Sequence, residues 1–137
     1  MALRFAPHPG MVLLCDYDLG RSIALPGEIT KRRPVVVVSR RGRPVAEPYL
    51  VVPFSTQAPL HPDRTHYRVP AGTYHFLARD TDSWAKCALV SAVGASRLDR
   101  LKSRGAYSAP RLAAADLRAI RLGVIHALGA LPLLDSG

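Results

Sequence analysis

The sequence predicts a mainly β fold, a sandwich or small barrel of short strands with one helix at its C-terminal end. Short β-rich runs recur between Pro and Gly residues, a spacing typical of sandwiches and small barrels. The run Val35-Val36-Val37-Val38 is too short for a helix and is built of β-branched residues that suit a strand buried on both faces. The apolar period changes to helical spacing only after residue 110. With 137 residues, 48% of them hydrophobic, the chain suits one domain over residues 1–137 that builds its core without disulfide or metal staples.

Met11 to Tyr17 is apolar with a polar end and follows the turn dipeptide Pro9-Gly10, so it reads as the first strand. Leu19 to Arg33 carries Gly20, Pro26 and Gly27 with no sustained period and reads as a loop. Pro34 opens the valine strand, which runs to Ser39. The basic turn Arg40-Arg41-Gly42-Arg43-Pro44 leads into Tyr49 to Phe54, expected to pair back as a hairpin. His66 to Val69 alternates, Tyr74 to Leu77 is ambiguous, and Trp84 to Val93 reads as one further strand. Leu117, Ile120, Val124, Leu128 and Leu131 then lie at helical spacing. That helix is expected to start between Pro110 and Ala113, with Asp116 favouring its dipole and Gly129 stopping it. Pro132 to Gly137 reads as a frayed tail.

The formal net charge of +9 favours polyanionic partners, nucleic acid first, through counterion release along a phosphate backbone. Arginine outnumbers lysine sixteen to three. That excess suits phosphate recognition, though a GC-rich genome gives the same bias. Cys15 and Cys87 stand far apart without CxxC spacing, and the first twenty-five residues hold no secretory pattern; the chain reads as reduced and cytoplasmic. Ile120 to Leu134 is interrupted by Arg121 and His126, short of the roughly 18 apolar residues a membrane span requires.

Pro26-Gly27-Glu28-Ile29-Thr30-Lys31-Arg32-Arg33-Pro34, running into the valine strand and Ser39, resembles the MazF/PemK toxins. That family places an acidic residue in a loop, then Arg-Pro, then an apolar strand ending in serine. Gly10 with Val12-Leu13-Leu14-Cys15-Asp16 resembles its opening strand, and Val51-Val52-Pro53-Phe54-Ser55-Thr56 its valine-proline-x-threonine segment. Asp80 to Cys87 through Ser96 to Leu101 looks like a distinct branch of the superfamily. The resemblance covers roughly residues 9–129. It implies a five- to seven-stranded SH3-like barrel of the MazF/PemK/CcdB type with a C-terminal helix. It also implies a homodimer with RNA across its interface, inhibition by an antitoxin, and cleavage of single-stranded RNA to 2′,3′-cyclic phosphate and 5′-hydroxyl ends with no metal or cofactor. DNA is expected as a partner only through the toxin–antitoxin complex.

Metal-free cleavage must take the 2′-hydroxyl proton, stabilise the phosphorane and protonate the departing 5′-oxygen. By resemblance Arg33 is the catalytic arginine, stabilising the phosphorane and available as a proton donor; from position alone it is equally an ordinary strand-end arginine. Ser55 stands where the family usually has threonine, with Thr56 beside it as a substitute; a Ser-Thr pair after a strand also serves simply to bond a turn. Glu28 is either a general base or a solvated partner of Lys31 or Arg32. His61, His66 and His75 titrate in the useful range, and no spacing singles one out. The aligned fifth strand carries Ala88-Leu89 where relatives have charged residues, which leaves that role vacant or moved to Lys86 or Asp82.

Arg32, Arg40, Arg41 and Arg43 can form a phosphate track. Trp84, Tyr67, Tyr74 and Phe76 can stack unpaired bases, Trp84 being equally suited to packing. Arg97, Arg100, Lys102 and Arg104 form a second basic cluster that reads as a solvated loop. Beside the endoribonuclease stand two alternatives: a non-catalytic SH3-like module binding nucleic acid or peptide, and a branch whose activity has decayed or turned to structured RNA.

Overall fold

Valine at successive positions makes a strand that can be buried only if both faces of its sheet are covered, and this requirement organises the molecule. The computed structural model describes residues 3, 5–17, 32–40 and 48–135. Strands β1 (Val12–Asp16), β2 (Arg32–Val37) and β3 (Tyr49–Ser55) form an antiparallel core, and β4 (His66–Val69), β5 (Ser83–Lys86), β6 (Ser91–Val93) and β7 (Leu98–Asp99) complete a seven-stranded sheet. Its order is β4-β5-β3-β2-β1-β7, with β6 also paired to β3. A separate hairpin joins β8 (Leu101–Ser103) to β9 (Ala106–Ser108), and helix α1 spans Ala114–Ala127.

The valines divide as the pleat requires. Val35 and Val37 face one core with Leu13, Cys15, Tyr49 and Val51. Val36 faces the other with Val12, Val52, Phe54 and Ile120 of α1. All three are fully buried. The expected hairpin is present, Val36 pairing with Val52.

The expected barrel is not closed: among the described residues the pairings form an open sheet ending in β4 and β7. The mainly β architecture with a C-terminal helix holds. The start of β1 bonds to the chain ahead of α1, through Val12 N to Pro110 O at 2.8 Å and Leu112 N to Gly10 O at 2.9 Å. The helix, not a closing strand, covers the second core with Ile120, Leu117 and Val124.

Residues 84–93 do not make one strand. The chain breaks at a 3₁₀ turn, Cys87–Leu89, between β5 and β6. Ser55 pairs with Trp84 and Tyr49 with Val93, so the register against β3 shifts across the turn. Cys87, fully buried, is thereby set under α1. Tyr74 to Leu77 forms turns rather than a strand. β2 also begins earlier than expected, at Arg32, and ends at Val37.

α1 begins at Ala114, behind Ala113. It ends as the glycine predicts: Gly129 has φ +69°, and Gly129 N to His126 O at 2.9 Å with Ala130 N to Ile125 O at 3.0 Å make the paired C-terminal bonds of a Schellman motif. The apolar stripe runs out at Leu128, which is 69% exposed. The tail carries a further 3₁₀ turn over Leu131–Asp135. Asp116 does more than face the helix dipole: it accepts from Tyr67 Oη at 2.5 Å and from Tyr74 Oη, while Ala113 N donates to Tyr74 Oη at 2.8 Å. The start of α1 is thus latched to β4 and to the turns that follow it.

Candidate active site

Arg33 is the second residue of β2, paired with Cys15 of β1. Between β2 and β3 the register matches Val35 with Pro53 and Val36 with Val52. That pairing ends at Val35 and Pro53, which leaves Arg33 and Ser55 just beyond it, at the same end of the two strands. Ser55 pairs in turn with Trp84, and Trp84 with Arg68. Residues directly opposite one another project to the same face, so Arg33 shares a face with Cys15, and Ser55 with Trp84 and Arg68.

Arg33, Ser55 and Thr56 line a single open cleft of about 170 Å³. Pro34, Phe54, Phe76, Leu77, Ala78 and Ser83 complete its lining. Arg33 is half-buried, and its Nε is buried with no hydrogen-bond partner. A buried guanidinium nitrogen without an acceptor leaves the side chain ready for an anion, which forks onto its donors. Ser55 Oγ accepts from Gln57 N at 3.1 Å, so the hydroxyl does serve the turn after β3; its own proton remains available to a ligand in the cleft. Thr56 is exposed.

The other expected residues separate into those near the cleft and those elsewhere. Phe76 lines it, with its ring 4.9 Å from that of Tyr74. Tyr67 and Tyr74 are instead committed to Asp116. Trp84 is half-buried and sits opposite Ser55, while Lys86 lies two residues on, paired with His66. Asp82 cannot readily take over as base: it accepts from Arg68 Nε at 2.7 Å and from Ala71 N at 2.8 Å. The Arg68 bond, then the Ala71 bond, hold its carboxyl below the usual carboxylate range.

None of the three histidines lines the cleft. His61 is exposed, His66 Nδ1 accepts from Asp63 N at 3.0 Å, and His75 stands edge-on to Phe76 at 5.2 Å.

Of the basic track, the two described members, Arg32 and Arg40, lie apart. Arg32 points away from Arg33 to a second cleft, of about 180 Å³, shared with Asp16, Arg97 and Asp99; its Nε lies 3.5 Å from Asp16 Oδ2. Arg40 is exposed beyond the opposite end of β2, on the order of 20 Å of extended chain from Arg33. Glu28, Lys31, Arg41 and Arg43 lie outside the described residues.

Among the described residues no group of three or more His, Cys, Asp or Glu side chains converges as a metal site, and no helix is long and apolar enough to cross a membrane.

Residues 8–126 match the model of the PemK-like, MazF-like toxins of type II toxin–antitoxin systems. The chain belongs to that family. As a PemK/MazF-like toxin it shares its fold with an endoribonuclease in complex with its cognate antitoxin from mycobacterial species, with a TM-score of 0.60 at 20% identity over 90% of this chain and 96% of that one. A second mycobacterial endoribonuclease gives a TM-score of 0.58 at 19% identity, over 93% and 95% of the two chains. The Mycobacterium tuberculosis toxin MazF-mt6 gives 0.59 at 18%, over 87% and 96%. No curated protein matches the chain significantly by sequence.

Sequence reasoning missed the apolar half of this toxin's cleft, Pro34, Phe54, Leu77 and Ala78, and the buried Ser83. Pro34 and Phe54 were legible in principle, because each neighbours a motif residue. Leu77, Ala78 and Ser83 arrive through turns whose course no local pattern announces.

Proposed function

We propose that this PemK/MazF-like toxin is an endoribonuclease that cleaves single-stranded RNA, mRNA included, by attack of a ribose 2′-oxygen on the adjacent phosphorus, with no metal ion. The observation that carries the reading is the convergence of Arg33, Ser55 and Thr56, from two neighbouring strands, on one cleft.

In this reaction the bond from the 2′-oxygen to phosphorus forms and the bond from phosphorus to the 5′-oxygen breaks. A 2′,3′-cyclic phosphate and a 5′-hydroxyl result. Arg33 meets the charge that builds on the non-bridging oxygens, where a preorganised donor acts most strongly. A guanidinium does not release its proton in a protein, so Arg33 acts as an electrostatic clamp and water protonates the 5′-oxygen. Ser55, or Thr56 in its place, donates to the scissile phosphate and fixes its position. No carboxylate or imidazole lies among the described residues lining the cleft. Glu28, five positions before Arg33 in the chain, is the candidate base. Phe76 and Trp84 supply stacking surfaces for the flanking bases, and Lys31 and Lys86 draw in the backbone, with Arg32, Arg40, Arg41 and Arg43 adding attraction at longer range.

The toxin works in the cytoplasm as a homodimer, is silenced by a cognate antitoxin protein and meets DNA only within that complex. The net charge of +9 and the family's place in toxin–antitoxin systems support this.

The test is incubation of the purified protein with long single-stranded RNA in EDTA, beside Arg33→Ala, with the cut ends mapped. Discrete cuts lost in the variant are expected. Intact RNA that still shifts in a salt-sensitive gel would sink the enzyme and leave the non-catalytic binding module, a reading to which the turn-bonded Ser55 hydroxyl lends some weight.

A further inference from the structure

The basic cluster after β7 is not a solvated loop. Leu101–Ser103 and Ala106–Ser108 pair as an antiparallel hairpin, Lys102 opposite Tyr107. It stands apart from the main sheet, and apart from Leu101, which packs against the second core, its residues are exposed. A two-stranded ribbon with so little buried surface is marginal on its own.

Its composition is one-sided: residues 100–109 contain Arg100, Lys102 and Arg104 and no acid. Arg100 and Lys102 crowd one aromatic ring, lying 5.1 Å and 5.6 Å from the centroid of Tyr107. Both cations add to a positive potential around the ring that a polyanion neutralises. Tyr107 nevertheless remains 51% exposed. At the tip, Arg104 has φ +51° and Gly105 φ +81°, a two-residue turn in which Asn or Gly is the favoured first residue. Arg104 is the one non-glycine residue with positive φ among the described residues. A cation therefore occupies a position whose backbone favours a different residue.

We propose that the β8–β9 hairpin is a second contact for single-stranded RNA, outside the residues that line the cleavage cleft, in which Tyr107 stacks one unpaired base and Arg100, Lys102 and Arg104 engage the phosphates around it. The proposal rests on the reading of the chain as an RNA-cleaving toxin and adds where the strand is held outside the cleft. Flat aromatic rings beside backbone-tracking cations bind single strands with little sequence preference, so the hairpin contributes affinity while the cleft makes the cut.

The test is fluorescence anisotropy of the full chain with a labelled 2′-O-methyl oligoribonucleotide, which lacks the attacking hydroxyl, over a range of salt. Tyr107→Ala is expected to weaken binding about tenfold, the loss of one stacked base, with Tyr107→Phe close to wild type. Heparin, a polyanion without bases, is expected to bind wild type and Tyr107→Ala alike. The triple variant Arg100→Ser, Lys102→Ser, Arg104→Gly is expected to flatten the slope of log affinity against log salt by about 2, roughly 0.7 per charge removed.

Unchanged oligonucleotide binding in all the variants would overturn the proposal, even if the triple variant loses capture of an antitoxin protein. Equal losses on oligonucleotide and heparin in Tyr107→Ala would also overturn it. Cleavage of long RNA by the wild type, run in parallel, separates the two readings: no cleavage and no binding by the wild type defeats the nuclease itself, whereas normal cleavage with indifferent variants defeats the hairpin alone.

Discussion

Gly123→Ala tests how the helix is seated on the sheet. In an exposed helix interior this change is stabilising by about 1 kcal/mol, because alanine costs less backbone entropy. Here the added Cβ would lie 2.6 Å from Cys87 Sγ, 3.1 Å from Cys87 Cβ and 3.2 Å from Arg64 O. The sulfur cannot swing clear, since Cys87 is fully buried. Its backbone is tied on both sides, by Cys87 N to Thr65 O at 2.9 Å and Val90 N to Cys87 O at 3.2 Å. Relief must come from the helix lifting away, which loosens Ile120 and its neighbours. Overpacking of this kind costs up to about 3 kcal/mol. Set against the propensity gain, the net is a destabilisation of about 2 kcal/mol, a fall in melting temperature of roughly 8 °C for a domain of this size.

The assay is urea unfolding of both single variants and the double variant. Cys87→Ala removes the nearest atom, so Gly123→Ala in that background should cost less than about 1 kcal/mol, leaving a coupling energy of about 1 kcal/mol or more. A Gly123→Ala protein as stable as wild type would refute the tight seating. A penalty undiminished by Cys87→Ala would refute Cys87 as its cause.

Three further outcomes are expected. Arg33→Ala should lower kcat about 100- to 1000-fold, the usual loss on removing one preorganised transition-state donor, and Arg33→Lys should restore only part, because an ammonium keeps the charge without the fork; equal activity of Lys and Arg in RNA cleavage would deny the bidentate role. The Asp116 bond, burial and the Asp116 charge push the Tyr67 hydroxyl from 10.0 to about 12, so the protonated tyrosine favours the folded state. That stability is complete below pH 10 and is lost as pH rises toward 12; Tyr67→Phe should flatten this alkaline limb in thermal melts, and an unchanged limb would exclude the latch. Burial pushes the thiols of Cys15 and Cys87 each up to about 11, so both should resist a thiol-specific reagent at pH 8 until the protein is unfolded; fast labelling of the native chain would contradict their placement.

The valine strand, its hairpin partner and the terminal helix were legible because each is a local pattern, and Gly129 marked the end of the helix correctly. The break inside Trp84 to Val93 was not. Cys87 and Leu89 are apolar enough to continue a strand, and only the approach of α1, which needs Gly123 on one side and a turn on the other, explains the 3₁₀ segment. Asp116 shows a similar limit. Its position in the first helical turn predicts an interaction with the dipole, but the two tyrosines that claim it are 49 and 42 residues away. The site was half legible: Arg33, Ser55 and Thr56 sit in motifs at the start or end of strands, whereas Leu77 and Ala78 come from turns without a periodic signature. Arg32 and Arg40 were grouped with Arg33 by charge, and the pleat and the length of β2 separate them.

The register of one hairpin links these observations. Val35 opposite Pro53 sets the adjoining Arg33 and Ser55 at the same end of the two strands, and Ser55 opposite Trp84 carries the row to Arg68. Because the side-chain period of a strand is 2, the pleat that divides Val35 and Val37 from Val36 also sets the face to which Arg33 projects. Burial of Val35, Val36 and Val37, all at 0% exposure, therefore does two things. It holds the two cores together, and it sets the face to which the guanidinium projects, so that the residues with the least visible chemistry determine where the chemistry can occur.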